Sequence, residues 1–204
     1  MMRARNIFYC VYAFIFTAAG WVCPVYAVPV YVYGGDFDLR IPEKEGENYG
    51  WMADAVIDIP DHYIICDLDV KVSITHSSVY DLQLYLVSPA DNLIMLNGYN
   101  VDDFFRGADY TQTIFDDEAS VPIEEGEVPF TGRFRPREAL NIFDGEDTFG
   151  LWRLRIYDQF PSNTGNLDSF ELLVSVPEPA AVFLLGFGSV FILSRNSNRG
   201  FRKH

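Results

Sequence analysis

The middle of the chain has little cysteine. Cys10 and Cys23 lie in an apolar N-terminal segment, which leaves Cys66 as the single cysteine of the remaining sequence. One cysteine cannot form an internal disulfide, so the fold must be stabilised by its core or by a metal. Cys66 lies on the apolar side of an alternating segment, and we expect it to be a small core residue.

Positive charge is also scarce between the two ends. All 29 acidic residues lie between Asp36 and Glu178, whereas only nine of the 15 basic residues lie there, which gives this region a net charge of −20. Such a surface repels phosphate backbones, and this argues against nucleic acid as a partner. Calcium, basic proteins and an extracellular setting fit the charge better.

Residues typical of a hydrolase site are few. The histidines are His62, His76 and His204, and the sequence contains no G-x-S-x-G motif. His76 is close to Ser77, Ser78 and Asp81, but we place these residues at a strand end and its loop, where a structural role explains them. A nucleophile, a base and an orienting carboxylate must be held together for proteolysis. The sequence therefore predicts a protein that is not an enzyme.

The N-terminus has the three parts of a secretory signal peptide. Arg3 and Arg5 precede an apolar run over residues 7–19, and Val25-Tyr26-Ala27 supplies small residues at the right spacing for cleavage. The pattern predicts a signal peptide over residues 1–27 that is cut after Ala27. The alternative, a permanent N-terminal anchor, would require a longer apolar span.

Residues 177–204 have the pattern of a second targeting signal. Pro177, Glu178 and Pro179 precede an apolar run over residues 180–193 and a basic end. The run is shorter than the roughly 20 residues that span a bilayer comfortably, and the basic end would stay in the cytoplasm. The tail resembles a PEP-CTERM sorting signal; a simple C-terminal membrane anchor is the alternative.

The PEP-CTERM resemblance implies a route and a location. It implies recognition by an exosortase-type sorting enzyme of a Gram-negative bacterium, with cleavage near the motif. It also implies display at the cell surface, the outer envelope or the extracellular matrix. Membrane association would be transient, through the hydrophobic helix of residues 180–193.

Alternating apolar and polar residues fill the middle of the chain. The clearest runs are 66–75, 82–86, 150–158 and 170–174, with turn residues between them and no amphipathic helical pattern. This predicts an all-β domain, an antiparallel β-sandwich over residues 54–176. Residues 28–53 contain a glycine pair and an acidic stretch and are predicted to be a linker or a loosely attached leading arm.

The last two strands carry a family pattern. Gly150-x-Trp152-x-Leu154-x-Ile156-x-Asp158, followed by Gly165-x-Leu167 and Phe170-x-Leu172, resembles the closing hairpin of the P domain (P/Homo B domain) of kexin- and furin-like serine proteases. Further fragments occur in the family order: Ile59-Pro60-Asp61, Ser88-Pro89, Phe115-Asp116-Asp117-Glu118-Ala119, Pro129-Phe130-Thr131-Gly132 and Leu140-x-x-Phe143-x-Gly145.

The P-domain resemblance covers about residues 55–175 and implies a jelly-roll topology of the galactose-binding-like type. Asn163 and Ala90 depart from the family pattern, and both lie in loops. Trp152 is predicted to be a core residue.

Calcium is the predicted cofactor. The resemblance implies that such domains can bind calcium, and loop carboxylates supply the oxygens that this ion prefers. Asp116, Asp117 and Asp158 are the candidate ligands. The alternative is that these residues are solvated loop carboxylates and turn caps.

The sequence predicts a secreted or surface-displayed, non-catalytic P-domain module for protein–protein or matrix interaction. The alternative is an accessory subunit that stabilises a separately encoded subtilisin-like serine endopeptidase. A third hypothesis is a matrix component that binds acidic or neutral exopolysaccharide through exposed aromatic residues beside the loop carboxylates, with the candidates Tyr80, Tyr85, Tyr99, Tyr110 and Phe160. Trp51 is a candidate for covering a sheet edge or contacting a partner.

Overall fold

The computed structural model describes residues 5–6, 29–42, 49–98, 107–160 and 163–177. These residues form the strands β1 (Arg5–Asn6), β2 (Val30–Ile41), β3 (Gly50–Trp51), β4 (Ala55–Ile59), β5 (Asp67–His76), β6 (Leu82–Val87), β7 (Leu93–Asn97), β8 (Tyr110–Phe115), β9 (Phe130–Phe134), β10 (Gly150–Asp158) and β11 (Gly165–Ser175). Three short 3₁₀ helices span Val79–Asp81, Ile123–Glu125 and Leu140–Phe143. In these parts of the chain no helix is long and apolar enough to cross a membrane. The apolar run of residues 180–193 and the signal cleavage site after Ala27 lie outside them.

Two sheets build the domain. Sheet A has the order β1-β2-β11-β5-β8-β9, and sheet B has the order β3-β10-β6-β7 with β4 also paired to β10. The prediction of an all-β domain is therefore confirmed. Among the paired strands described, β8 and β9 run parallel, because residues 116–129 return the chain to the start of β8 before β9 begins. The jelly-roll topology stays a prediction.

The core lies between the sheets and is filled by the apolar positions of the alternating segments. Trp152, Leu154 and Ile156 of β10 are fully buried, as are Phe170 and its neighbours at every second position of β11. Each such burial stabilises the fold by roughly 1.5–3 kcal/mol. The indole N–H of Trp152 donates a 2.9 Å hydrogen bond to the backbone oxygen of Thr148. The prediction that Trp152 is a core residue is thus confirmed.

Strand β2 differs from the predicted leading arm. It pairs with β11 along its whole length, from Val30 opposite Ser175 to Ile41 opposite Gly165. Tyr33 and Ile41 are buried in the core. Gly34 has a φ of +115°, and a Cβ there would lie 2.2 Å from the backbone oxygen of Phe170. The glycine that made the segment resemble a linker is therefore required by close packing of two strands.

Cys66 also differs from the prediction, because it is exposed. Strand β5 begins one residue later, at Asp67, and Ile65 occupies the neighbouring core position with 1% exposure. The backbone N–H of Cys66 donates to the backbone oxygen of Ser175, which fixes the chain while its side chain points outward. Burial and the nearby carboxylates of Asp144 and Asp67 raise the pKa of the thiol, so it is a poor nucleophile at neutral pH.

Candidate functional site

Asp116 lies in an ion-paired network at the end of β8. Arg133 of β9 donates to Asp69 Oδ2 at 2.8 Å and also to Asp116. Burial raises the pKa of Asp69 to about 7, although Arg133 opposes this shift. For Asp116 burial also raises the pKa, but the hydrogen bonds from Arg133 and Glu118 outweigh it and hold the pKa below its usual value. Asp116 is therefore an ionised partner of an arginine.

Asp117 has a different structural role. Its two carboxylate oxygens accept hydrogen bonds from the backbone N–H groups of Leu140 and Asn141, each at 2.9 Å. These N–H groups begin the 3₁₀ helix Leu140–Phe143 and have no partner within it. Asp117 thus caps this helix and ties it to the loop that follows β8.

Asp158 lies at the other end of the sandwich. It is fully buried, and its Oδ2 is 3.3 Å from His76 Nε2. The other ring nitrogen of His76 lies 2.8 Å from the backbone oxygen of Ser78. The second carboxylate oxygen of Asp158 accepts from the backbone N–H of Phe160 at 3.3 Å.

The three predicted calcium ligands are therefore not brought together. Asp158 contacts His76, which is the last residue of β5. Asp116 instead binds Arg133, which also binds Asp69 near the first residue of β5. Seven residues of extended strand separate these positions, about 20 Å. In the ranges that the structure describes, no group of three or more histidines, cysteines or carboxylates is placed to hold a metal ion. The set Asp116, Asp117 and Asp158 does not fit one calcium ion.

Neither histidine of the domain is arranged as a catalytic base. His76 is buried and bound at both ring nitrogens. His62 lies 2.8 Å from Asp147 and stacks on Phe149 at a ring distance of 4.3 Å. The nearby hydroxyl of Thr148 donates to the backbone oxygen of Asp61 at 2.6 Å. Within the described residues neither histidine forms a hydrogen bond with a hydroxyl or a thiol, so the nucleophile–base pair of a protease is not assembled here.

Sheet B carries a partly exposed cluster of three aromatic rings and one arginine, which we call the aromatic face: Trp51, Tyr85, Tyr157 and Arg155. Strand pairing places Tyr157 opposite Trp51 and Arg155 opposite Tyr85, so all four side chains lie on the outer surface of the sheet. The Trp51 ring centroid lies 4.9 Å from that of Tyr157 and 6.0 Å from that of Tyr85. The side chain of Trp51 remains 45% exposed.

The aromatic face is held in place by ion pairing and hydrogen bonding. The guanidinium carbon of Arg155 lies 4.5 Å from the Trp51 ring centroid, a cation–π contact. Arg155 Nε also donates to Asp54 Oδ1 at 3.1 Å. The hydroxyl of Tyr85 donates to Gln83, whose amide nitrogen donates to Gln159, both at 2.6 Å. The rings and amides thus form one connected surface.

Sequence reasoning found only part of this face. Tyr85 was a candidate and belongs to it, and Phe160 is exposed at 37% beside the loop after β10. Tyr110 is buried in the core, and Tyr80 packs at the edge of the Phe130 ring. Tyr99 lies outside the described residues. Tyr157 was not predicted, because its ring joins the aromatic face by packing against Trp51, and Trp51 lies in a distant part of the sequence.

The sequence also matches a known family. A family model described as the proprotein convertase P-domain matches residues 65–174, which is more than half of the chain. The chain belongs to the proprotein convertase P-domain family. The P domain of the structure extends beyond the matched residues, because β2 and β4 precede residue 65 and both pair with matched strands.

Two solved structures are similar to this P-domain chain. One is the serine protease of Aeromonas sobria, at 18% identity and a TM-score of 0.39, with 86% of this chain and 27% of that chain covered. The other is the complex of the Aeromonas sobria serine protease with the chaperone ORF2, at 16% identity and a TM-score of 0.38, with the same coverage. The chain thus spans about a quarter of the length of these proteins. No curated protein sequence matches the chain.

Proposed function

We propose that this P domain is a non-catalytic interaction module that is exported and displayed at the cell surface. The observation that carries the proposal is the aromatic face. Tryptophan, tyrosine and arginine are the residues that most often dominate the binding energy of protein surfaces. By contrast, every buried polar side-chain atom in the described residues has a hydrogen-bond partner. The interior polar groups thus form hydrogen bonds within the fold, and the aromatic rings on the surface are available for a partner.

The route to the surface is part of the proposal and is supported by sequence patterns. The signal peptide would be cut after Ala27, and the tail with Pro177, Glu178 and Pro179 would direct an exosortase-type enzyme of a Gram-negative bacterium. Residues 180–193 would hold the chain in the membrane until the tail is cut. Calcium binding and the jelly-roll connection order stay predictions.

Site-specific photo-crosslinking in the source cells tests the module. A photoreactive phenylalanine derivative at position 51, which keeps an aromatic ring there, should give crosslinked products on intact cells, because this position is at the centre of the aromatic face. The matched control is position 111 on sheet A, which is also exposed and lies away from the face. Equal crosslinking at both positions, or retention of the full chain inside the cell, would contradict the proposal.

A second candidate is an accessory subunit of a separately encoded subtilisin-like serine endopeptidase. The family description, a P-domain of proprotein convertases, favours this candidate. The purified chain should then lengthen the half-life of a co-secreted serine protease at elevated temperature while cleaving no peptide itself. An unchanged protease half-life at saturating chain concentration would rule this candidate out.

A further inference from the structure

We propose that the aromatic face binds a neutral, β-linked polysaccharide, with Trp51 stacking on the face of a sugar ring. This inference rests on the proposed interaction function and names its ligand class. It draws on four properties of the face: a fixed flat ring, neutral hydrogen-bonding groups beside it, compensated local charge and small area.

The first property is a flat ring that is fixed before a ligand arrives. Trp51 sits on the short edge strand β3, with the guanidinium of Arg155 over one side of its ring and Asp54 holding that guanidinium. Almost half of the side chain stays exposed. A pyranose whose substituents are all equatorial presents flat C–H faces, which complement such a ring. A ring already held in place loses little conformational entropy on binding.

The second property is the polar groups beside the rings. The side chains of Gln83, Gln159 and Tyr85 form a hydrogen-bonded chain along the same part of sheet B. Amides and a phenol are neutral, and each offers donor or acceptor capacity beyond the bonds they make to each other. Apolar surface with a few placed polar groups is the usual composition of a small-ligand site. Hydroxyl groups at the rim of a sugar ring match this composition.

The third property is charge. Arg155 pairs with Asp54, and Arg153 lies 3.6 Å from Asp91. These pairs leave the face without a local excess of charge on a chain of net charge −14. An anionic polymer would be repelled by the chain as a whole, and a cationic one would be drawn to the acidic loops instead. A neutral ligand is the one that the face favours.

The fourth property is size. Three partly exposed rings offer an apolar area on the order of 200 Å², whereas a stable protein complex covers about 800 Å² on each partner. Val56 and Leu151 are exposed on the same side of the sheet, but Val56 lies opposite Arg153 and Leu151 lies two residues beyond it, so this charged side chain borders the aromatic face at that end. The aromatic face therefore fits two or three sugar rings better than a folded protein.

Titration calorimetry of the full chain with cellohexaose, laminarihexaose and hexa-N-acetylchitohexaose tests the inference. We expect at least one of these neutral β-linked sugars to bind with a Kd in the range of about 1 μM to 1 mM. Trp51→Ala and Trp51→Leu should each weaken binding by about tenfold or more, because leucine keeps an apolar side chain but removes the flat ring. Trp51→Tyr should retain most of the affinity.

The matched control is Phe149→Ala. Phe149 is 51% exposed and stacks on His62, away from the aromatic face, so its removal should leave sugar binding unchanged. All variants should first be shown to keep the wild-type melting temperature. Absence of binding to all three sugars, or wild-type affinity in Trp51→Leu, would overturn the inference. If position 51 still crosslinks on cells in that case, the proposed interaction function survives with a different ligand.

Discussion

Asp69 shows how a single buried carboxyl can set the pH dependence of stability. It is 8% exposed beneath Arg133, and burial raises its pKa from 3.8 to about 7, with Asp116 and Asp67 adding repulsion. An acid whose pKa is raised by folding holds its proton more tightly in the folded chain. The contribution of protonated Asp69 to the free energy of unfolding is therefore complete below pH 4 and is lost as the pH rises towards 7. Ionisation of Asp69 thus destabilises the fold.

We therefore expect the melting temperature to fall between pH 6 and pH 8 because of Asp69. The expected loss is about 1 kcal/mol, or roughly 4 °C for a domain of this size. In Asp69→Asn, which cannot ionise and can still accept from Arg133, the decline should be smaller by that amount. Asp54→Asn, at an exposed ion pair, serves as the control and should follow the wild type. Parallel curves for Asp69→Asn and the wild type would show that this carboxyl does not control the pH dependence.

At the level of elements, the loop after β8 and the 3₁₀ helix Leu140–Phe143 depend on one side chain. Asp117 accepts both backbone N–H groups at the start of this helix. The helix in turn carries Phe143, whose ring packs edge-on against Trp152 at 5.3 Å. Loss of the cap would therefore weaken the packing of Phe143 against Trp152 in the core.

Asp117→Ala should lower the free energy of unfolding by about 1 kcal/mol, as for other lost helix caps. Asp117→Asn keeps one accepting oxygen and should lose less. Glu138→Ala provides a comparison, because Glu138 accepts only the Met95 N–H in the described residues and lies at an exposed site. Chemical denaturation measures all three variants. Equal stability of Asp117→Ala and the wild type would mean that water replaces the cap without cost.

The sequence predicted those elements whose residues alternate strictly. Strands β5, β6, β10 and β11 have an apolar residue at every second position, and each forms close to the expected residues. Strand β2 was not predicted, because close packing against Phe170 imposes Gly34, and glycine is also the residue of loops. A local sequence pattern cannot distinguish a glycine that is required by close strand packing from a glycine that lies in a loop.

The candidate site was less predictable than the fold. Trp51 and Tyr157 lie more than one hundred residues apart and meet only because β3 pairs with the end of β10. Likewise, the sequence grouped Asp116 with Asp158 as acidic loop residues, but the two lie at opposite ends of the sandwich, near the first and the last residues of β5. Side-chain type was predictable, whereas proximity depends on long-range strand pairing.

At the scale of the whole molecule, the chain has a net charge of −14. The effect of divalent cations on its melting temperature therefore tests whether the chain binds calcium. A calcium ion bound near Asp116 and Asp117 would stabilise the folded chain by mass action. Chelation should then lower the melting temperature, and the double variant Asp116→Ala, Asp117→Ala should abolish the difference. Asp158→Asn should retain it, because Asp158 lies about 20 Å away along the sandwich. A melting temperature that is the same with calcium and with chelator would exclude calcium from this part of the chain.

Strand β11 determines when the domain can be completed. It is the last strand in sequence among the described elements, yet it lies in the middle of sheet A, paired along its length with β2 on one side and β5 on the other. During synthesis, β2 and β5 therefore remain unjoined until residues 165–175 have left the ribosome. Sheet A therefore cannot be completed while most of the chain is being made, because its central pairings join residues that are far apart in the sequence. Under the export route that we propose, such a delay would keep the chain unfolded until it has crossed the membrane.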